Sequence, residues 1–357
     1  MAPMRRGVTA GVLIAAAMLA KVGMPFAAHV GLLLAAAPVP PFDPVVFEEV
    51  AAQRGLRFTT HSGRTPRKHQ PETMVSGVAL FDFDGDGWLD VYVVNGGDLP
   101  RAEKTRPEHW NRLFRNDGTG RFTDVTERAG VAGRGYDLGV ATGDYDNDGD
   151  QDIFVAGLRR NTLFRNNGDG TFKDVTEAAG LARPDPKYGT LWAVAAAFLD
   201  YDRDGRLDLF VSNYCVWDPA REPVCGDPAA PDYCHPRQYE GLPGSLFHNQ
   251  GDGTFTDVSG PAGIRAHVGK GMGVAVADFD GDGFPDVFVA NDTTPAFLFV
   301  NNRNGTFTES AFARAVAFGE RAEAVSGMGA DAADVDNDAR PDIFEIDQGN
   351  AAGLERL

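Results

Sequence analysis

The chain has 357 residues, with 33 Lys and Arg against 51 Asp and Glu, for a net charge of −18. With 43% hydrophobic and 24% charged residues it carries enough apolar sequence for a buried core, which excludes wholesale disorder. The acid excess argues against nucleic acid and anionic membrane surfaces, which demand clustered positive charge, and favours cations or basic partners.

Arg5 and Arg6 precede an apolar run over 8–20, and a second run covers 22–40, with Lys21 between them. With Ala35, Ala36 and Ala37 near its end, segment 1–37 reads as a signal peptide or, if uncleaved, a membrane anchor. Cleavage would remove three positive charges and no acid, leaving a net charge of −21. Either reading places the protein outside the cytoplasm: secreted, periplasmic or on the cell surface. Membrane contact is expected only through that anchor.

The remainder, 45–357, is a repeat array. The pattern Asp-x-Asp-x-Asp-Gly-x-x-Asp starts at Asp82, Asp144, Asp200, Asp278 and Asp334, at spacings of 62, 56, 78 and 56 residues. Four copies are followed by a Leu-Phe-containing segment ending at Asn116, Asn166, Asn249 or Asn301, then a Gly-rich turn and an extended run. In the first repeat, 77–81 enters the acidic loop, 91–94 leaves it, Leu113 and Phe114 start a third strand, and 122–126 forms a fourth. Short runs of strand formers between Gly, Asn and Asp turns predict β structure without long helices. Four strands per repeat of this length suggest propeller blades, with a flat solenoid as the alternative. Phe47-Glu48-Glu49-Val50 matches a lone fourth strand, as ring closure or a cap would use. Repeat five stops after 343–346 without a third strand, so the chain reads as about four and a half repeats truncated from a longer array.

The acidic loops read as metal sites. Carboxylates at positions 1, 3, 5 and 9 and a carbonyl at position 7 supply the oxygen-only set that Ca²⁺ takes. The ligands are Asp82, Asp84, Asp86, Trp88 and Asp90; Asp144, Asp146, Asp148, Asp150 and Asp152; Asp200, Asp202, Asp204, Arg206 and Asp208; Asp278, Asp280, Asp282, Phe284 and Asp286. Loop five offers Asp334, Asp336, Asp338 and Asp342, but Ala339 replaces the glycine and Arg340 and Pro341 follow, which leaves its metal binding open. Arg203 and Arg206 are expected to weaken loop three. An EF-hand is excluded because Val93 stands where the twelfth-position Glu belongs. Unfilled, each close carboxylate pair repels by up to about 4 kcal/mol at an effective dielectric of 20.

These loops, with Leu-Phe-x-Asn and Gly-Asp-Gly-Thr-Phe turns, resemble FG-GAP/VCBS repeats. The segments 71–82 and 269–278 look like the cartilage-acidic-protein-like, ASPIC/UnbV-associated branch. The resemblance implies an extracellular, calcium-loaded all-β propeller of seven four-stranded blades in the full family, of which this chain would be an incomplete copy. It implies a binding or adhesion role rather than catalysis.

Repeat three carries an insert over 213–244 that holds all the cysteines: Cys215, Cys225 and Cys234. One disulfide with one cysteine left over is expected; three pairings are possible, and Cys225–Cys234 is the one chosen. A zinc site with His235 is disfavoured by the spacing. Tyr214, Trp217, Tyr233 and Tyr239 make this loop a binding surface or a cover for a sheet edge. No nucleophile elbow, zinc-protease motif or phosphate loop is present, and His61, His69 and His109 read as surface residues. The expected function is a non-enzymatic module binding an extracellular protein or glycan. The alternative is a calcium-assisted polysaccharide lyase, which needs a basic residue converging with a calcium over a cleft; no such convergence is visible in the sequence.

Overall fold

The computed structural model describes residues 46–74 and 76–348; the segment read as signal or anchor lies outside them. Among the described residues no helix is long and apolar enough to cross a membrane. The chain divides into two units, Met1–Glu49 and Val50–Leu357. Of the first, residues 46–49 have no regular structure and Phe47 is 92% exposed. The strand expected over 47–50 is therefore not formed.

The second unit is all-β, and its helical segments are short turns such as Ala51–Arg54 and Thr126–Ala129. Four antiparallel four-stranded sheets follow in chain order. The first is β1 (Val78–Phe81), β2 (Asp90–Val93), β3 (Arg112–Asn116) and β4 (Phe122–Asp124). The second is β5 (Tyr136–Gly143), β6 (Asp152–Leu158), β7 (Thr162–Asn166) and β8 (Phe172–Asp174). In the third, β9 (Ala193–Leu199) and β10 (Asp208–Asn213) are separated from β14 (Ser245–Asn249) and β15 (Phe255–Asp257) by the insert. The insert forms its own hairpin, β11 (Cys225–Asp227) with β12 (Ala230–Asp232). Its end, β13 (Leu242–Pro243), pairs with β16 (Val268–Gly269). The fourth sheet is β17 (Gly271–Ala277), β18 (Asp286–Asn291), β19 (Phe297–Asn301) and β20 (Phe307–Glu309), and a hairpin of β21 (Gly327–Ala333) and β22 (Asp342–Asp347) follows. The fourth strand expected to run through Thr126 ends at Asp124, because the Thr126 hydroxyl turns back to the Asp124 carboxylate at 2.6 Å and opens a helical turn.

Sheets stack face to face in series, which is the β-propeller type of arrangement. Strands β6, β10 and β18 are buried along their whole length because a sheet covers each face, whereas β22 is largely exposed. Between the first two sheets Phe81, Phe83, Tyr92 and Leu113 meet Ile153, Val155 and Phe172. Each buried side chain of this size contributes about 1.5–3 kcal/mol. The inner strands β1, β5, β9, β17 and β21 line an axial cavity of about 1210 Å³. They approach so closely that a Cβ on Gly139 would lie 2.1 Å from the Val194 carbonyl oxygen.

Two further contacts tie each sheet to the next. The aromatic residue at loop position 2 packs on the first Phe of the next sheet's outer strand: Phe83 on Phe172 at 6.1 Å, Tyr145 on Phe255 at 5.5 Å, Tyr201 on Phe307 at 5.9 Å between centroids. The asparagine closing each third strand donates its side-chain N–H back to that loop: Asn166 to the Phe83 carbonyl at 2.8 Å, Asn249 to Tyr145 at 2.7 Å, Asn301 to Tyr201 at 2.8 Å.

Candidate functional site

In an antiparallel meander the first-to-second and third-to-fourth connections fall at one end and the others at the opposite end. All five acidic loops therefore share one rim. The long connections 94–111 and 214–244, with the segment leading into β1, share the other.

The acidic loops repeat one frame of hydrogen bonds. The position-1 carboxylate accepts the backbone N–H groups of positions 5 and 6: Asp86 and Gly87 donate to Asp82 at 3.1 and 2.7 Å, and Asp148 and Gly149 to Asp144 at 3.1 and 2.9 Å. Asp200, Asp278 and Asp334 repeat this. Position 5 accepts from position 7, as Trp88 donates to Asp86 at 3.0 Å and Arg206 to Asp204 at 2.9 Å. Position 6 has φ of 85°, 96°, 85° and 89° at Gly87, Gly149, Gly205 and Gly283, the left-handed region that favours glycine. Ala339 holds the same turn at φ 68°, a strained choice for a residue with a Cβ.

Asp90, Asp152, Asp208 and Asp286 at position 9 are fully buried. Each receives two backbone N–H groups; for Asp152 these come from Tyr145 at 3.1 Å and Asn166 at 2.8 Å. Burial pushes these carboxyls up, to about 6 for Asp90 and Asp286 and about 7 for Asp152 and Asp208, against the backbone donors that favour their charged form. Asp342 of loop five lies in a less buried setting, and Val335 at its position 2 is 73% exposed where the other loops insert an aromatic ring.

Position 3 carries an unsatisfied atom. One carboxylate oxygen each of Asp84, Asp146 and Asp202 is buried and has no hydrogen-bond partner. Ligand atoms of Asp82, Asp84 and Asp90, of Asp144, Asp146 and Asp152, of Asp200, Asp202 and Asp204, and of Asp278, Asp280 and Asp282 lie within 4.8 Å of one another. This donor set fits a hard cation. Position 7 contributes side chains unlike one another: Trp88 is 52% exposed, Asp150 lies over Gly168, and Arg206 bonds Asp204.

A feature outside the loop motif distinguishes the sites. The third-strand residue before the closing asparagine faces the loop, and it is Arg115, Arg165, His248 or Val300 in turn. Arg115 bonds Asp84 and also Asp86, the latter at 2.6 Å. His248 Nδ1 lies 3.1 Å from Asp208 and 3.5 Å from Asp202. Loop four has apolar Val300 there, and Arg303 and Arg314 reach Asp282 and Asp280 from its periphery at 3.2 and 3.3 Å. The Arg203 guanidinium stacks over Phe284 at 5.4 Å instead of lying on its own loop's carboxylates.

The other rim is built from chain segments distant in sequence. The insert is closed by the Cys225–Cys234 disulfide, and Cys215 is free and buried, so no zinc site forms from these cysteines. Tyr214, Trp217 and Tyr239 are buried against Tyr136 and Trp192, so they serve as core. Tyr233 instead donates to Glu72 Oε2 at 2.9 Å. Glu222 of the insert receives the Gln70 N–H at 2.7 Å and the Tyr239 hydroxyl at 3.0 Å, and sits 2.5 Å from His69 Nδ1. His69 and His109 are thus buried, contrary to their expected surface placement.

At this junction lies a cavity of about 650 Å³, lined among others by His61, Arg64, Glu72, Arg106, His109 and Tyr233. Asn95 fixes one wall by accepting the His61 N–H at 2.8 Å. Asp98 also lines the cavity; the Thr105 hydroxyl bonded to it, with His109 and Arg106 nearby, holds its carboxyl below the usual range. Basic groups therefore do converge on a cleft, on the rim opposite the acidic loops.

The FG-GAP-like repeat family matches residues 82–155, 144–211, 240–289 and 278–345. Among curated proteins, cartilage acidic protein 1 of Mus musculus is 28% identical over 232 residues, 63% of this chain and 32% of the relative. The Xenopus tropicalis protein is 29% identical over 238 residues, 64% of this chain and 33% of the relative. The chain thus spans about a third of the length of the curated relatives it matches. Among solved structures, an Agrocybe aegerita lectin described as recognising non-reducing terminal N-acetylglucosamine has a TM-score of 0.42 at 18% identity, covering 78% of this chain and 63% of that chain. A Bacillus licheniformis rhamnogalacturonan lyase has a TM-score of 0.33 at 15% identity, covering 76% of this chain and 54% of that chain. With the repeat matched across most of its length and the acidic loops in every copy, the chain belongs to the FG-GAP-like repeat family.

Proposed function

We propose that this protein is an exported binding module whose acidic loops take up Ca²⁺ and whose opposite rim engages an extracellular protein or glycan without catalysing a reaction. The observation that carries the calcium reading is the buried, partnerless position-3 oxygen of Asp84, Asp146 and Asp202, set among carboxylates already fixed by backbone donors. A buried charged oxygen without a partner is costly, and a cation at that point removes the cost. Asp82, Asp84, Asp86 and Asp90 and their counterparts would hold it. Ca²⁺, when bound, supplies charge that neutralises the cluster and cross-links the loop.

The division of labour between rims supports binding over lyase chemistry. A calcium-assisted lyase requires a free base beside the cation; next to the acidic loops Arg115, His248 and Arg314 are held on the loop carboxylates, and the cavity lined by His61, His109 and Tyr233 lies on the other rim. Calorimetric titration of the chelator-treated full chain with CaCl₂ tests the reading. Saturable uptake of several equivalents at micromolar to millimolar affinity is expected. A folded protein that takes up no calcium at millimolar concentration overturns it.

A further inference from the structure

The 650 Å³ cavity between the segment leading into β1, the 94–111 connection and the insert has a charge pattern at odds with the acidic chain around it. Its two carboxylates are already engaged. Glu72 accepts the Thr65 N–H at 3.1 Å, the Thr65 hydroxyl at 2.6 Å, the His69 N–H at 3.0 Å and the Tyr233 hydroxyl at 2.9 Å. Asp98 accepts from the Thr105 hydroxyl and from Arg106 at 3.2 Å. The cationic side is not matched in the same way. Arg64 makes no hydrogen bond or ion pair to another described residue. Arg67 and Lys68 lie beside it in sequence; Arg67 donates to the Glu222 backbone carbonyl at 2.9 Å, and the Lys68 ammonium sits 5.0 Å over the Tyr233 ring.

His109 adds a directed donor. Its side chain is 2% exposed, and its Nε2 lies 3.1 Å from Arg106 Nη2. The guanidinium can only donate, so Nε2 accepts and Nδ1 carries the hydrogen. That buried Nδ1–H has no hydrogen-bond partner; the nearest carboxylate, Asp98, is 3.7 Å away. The rest of the lining is rich in hydroxyls, from Thr60, Ser62, Thr65 and Thr73, with Leu99 the large aliphatic side chain among the lining residues. Such a wall suits a polyol better than an apolar peptide side chain, and the volume is that of a small-molecule site.

We propose that this cavity binds an acidic sugar unit, with Arg64 and the His109 Nδ1–H receiving its anionic group and the surrounding hydroxyls its ring hydroxyls. The proposal rests on the binding-module reading above and supplies that reading with a ligand class. An anionic sugar can carry a carboxylate or a sulfate ester, and the guanidinium serves either.

The test is calorimetric or NMR titration of the full chain in calcium with glucuronate, with glucose 6-sulfate and with glucose, at low and high salt. Binding of at least one acidic sugar, at least tenfold tighter than glucose and weakened by salt, is expected. Glucuronate alone would assign a carboxylate site, and the sulfate alone a sulfate site. Arg64→Ala should weaken binding at least tenfold with an unchanged melting temperature, because Arg64 is exposed and bonds no other described residue. Arg121→Ala, in the turn on the acidic-loop rim, should leave binding unchanged. No acidic-sugar binding at millimolar concentration, equal binding of glucose, or an Arg64→Ala variant that binds as the parent does would overturn the proposal. A calcium titration on the same sample separates the two readings: calcium uptake without sugar binding sinks this site alone, and absence of calcium uptake sinks the calcium-loaded module.

Discussion

On the acidic rim, five loops of different composition repeat the same backbone donors on the same carboxylates. On the opposite rim the connections 94–111, 159–161, 214–244 and 292–296 differ in length, and the two longest build a cavity whose residues come from distant parts of the chain. The first rim is local chemistry copied; the second is non-local chemistry assembled once. Copied features close every sheet in the same way; under the proposed function they also hold its cation, and the assembled feature is the place for a ligand.

The comparison can be broken or sharpened experimentally. The largest effect should come from calcium itself. Each site filled at about fifty times its dissociation constant adds about 2 kcal/mol. Several sites together should raise the melting temperature by more than about 10 °C over the chelated protein. A rise of a degree or two would mean that the copied rim is indifferent to cations.

Asp152→Asn comes next. It replaces a buried carboxylate that holds two backbone N–H groups by an amide that can satisfy only one side without conflict, at a cost of about 2–5 kcal/mol by urea denaturation. Removing the insert's cross-link with Cys225→Ser and Cys234→Ser should cost about 3 kcal/mol. Because the disulfide lies on the other rim, the calcium-induced shift should be unchanged. A diminished shift would show that the rims are coupled.

Asn166→Ala removes both the donor to the Phe83 carbonyl and the side-chain cap on Gly168. It should cost about 1–2 kcal/mol and weaken calcium uptake at loop one, although Asn166 belongs to the next sheet. The smallest effect is expected from Arg115→Val, which frees Asp84 and Asp86 and imitates Val300 of the fourth sheet. A few-fold gain in calcium affinity at one site, read by calorimetry, is the expected result.

The copied rim was legible in the sequence because its determinants lie within nine consecutive residues. The left-handed turn at position 6 and the strands on either side followed from local spacing, whereas on the other rim spacing left three cysteine pairings open and the structure forms Cys225–Cys234, the one chosen. The assembled rim was not legible. His61, His109 and Tyr233 meet only through the stacking of sheets one to three, and no spacing rule brings position 233 beside position 72. The same limit applies to the histidines: His69 and His109 stand in polar sequence, yet Glu222 and Arg106 provide the partners that allow them to be buried. The lone strand expected over 47–50 was read from likeness to later repeats. That likeness does hold for the turn that follows: Gly55 closes it at φ 97° and packs against the Phe122 carbonyl oxygen, as Gly180 packs against that of Phe255.

The asparagine ties have an evolutionary consequence. Asn166, Asn249 and Asn301 each satisfy their own sheet's buried aspartate through the backbone and the preceding sheet's loop through the side chain. The two halves of every junction are therefore encoded in adjacent copies of one cassette. Duplication or loss of a whole cassette leaves each remaining junction complementary, whereas an unequal exchange within a cassette separates an asparagine from its carbonyl. Arrays of this kind can change their number of units by recombination without inventing a new interface, and selection can then act on the irregular rim alone.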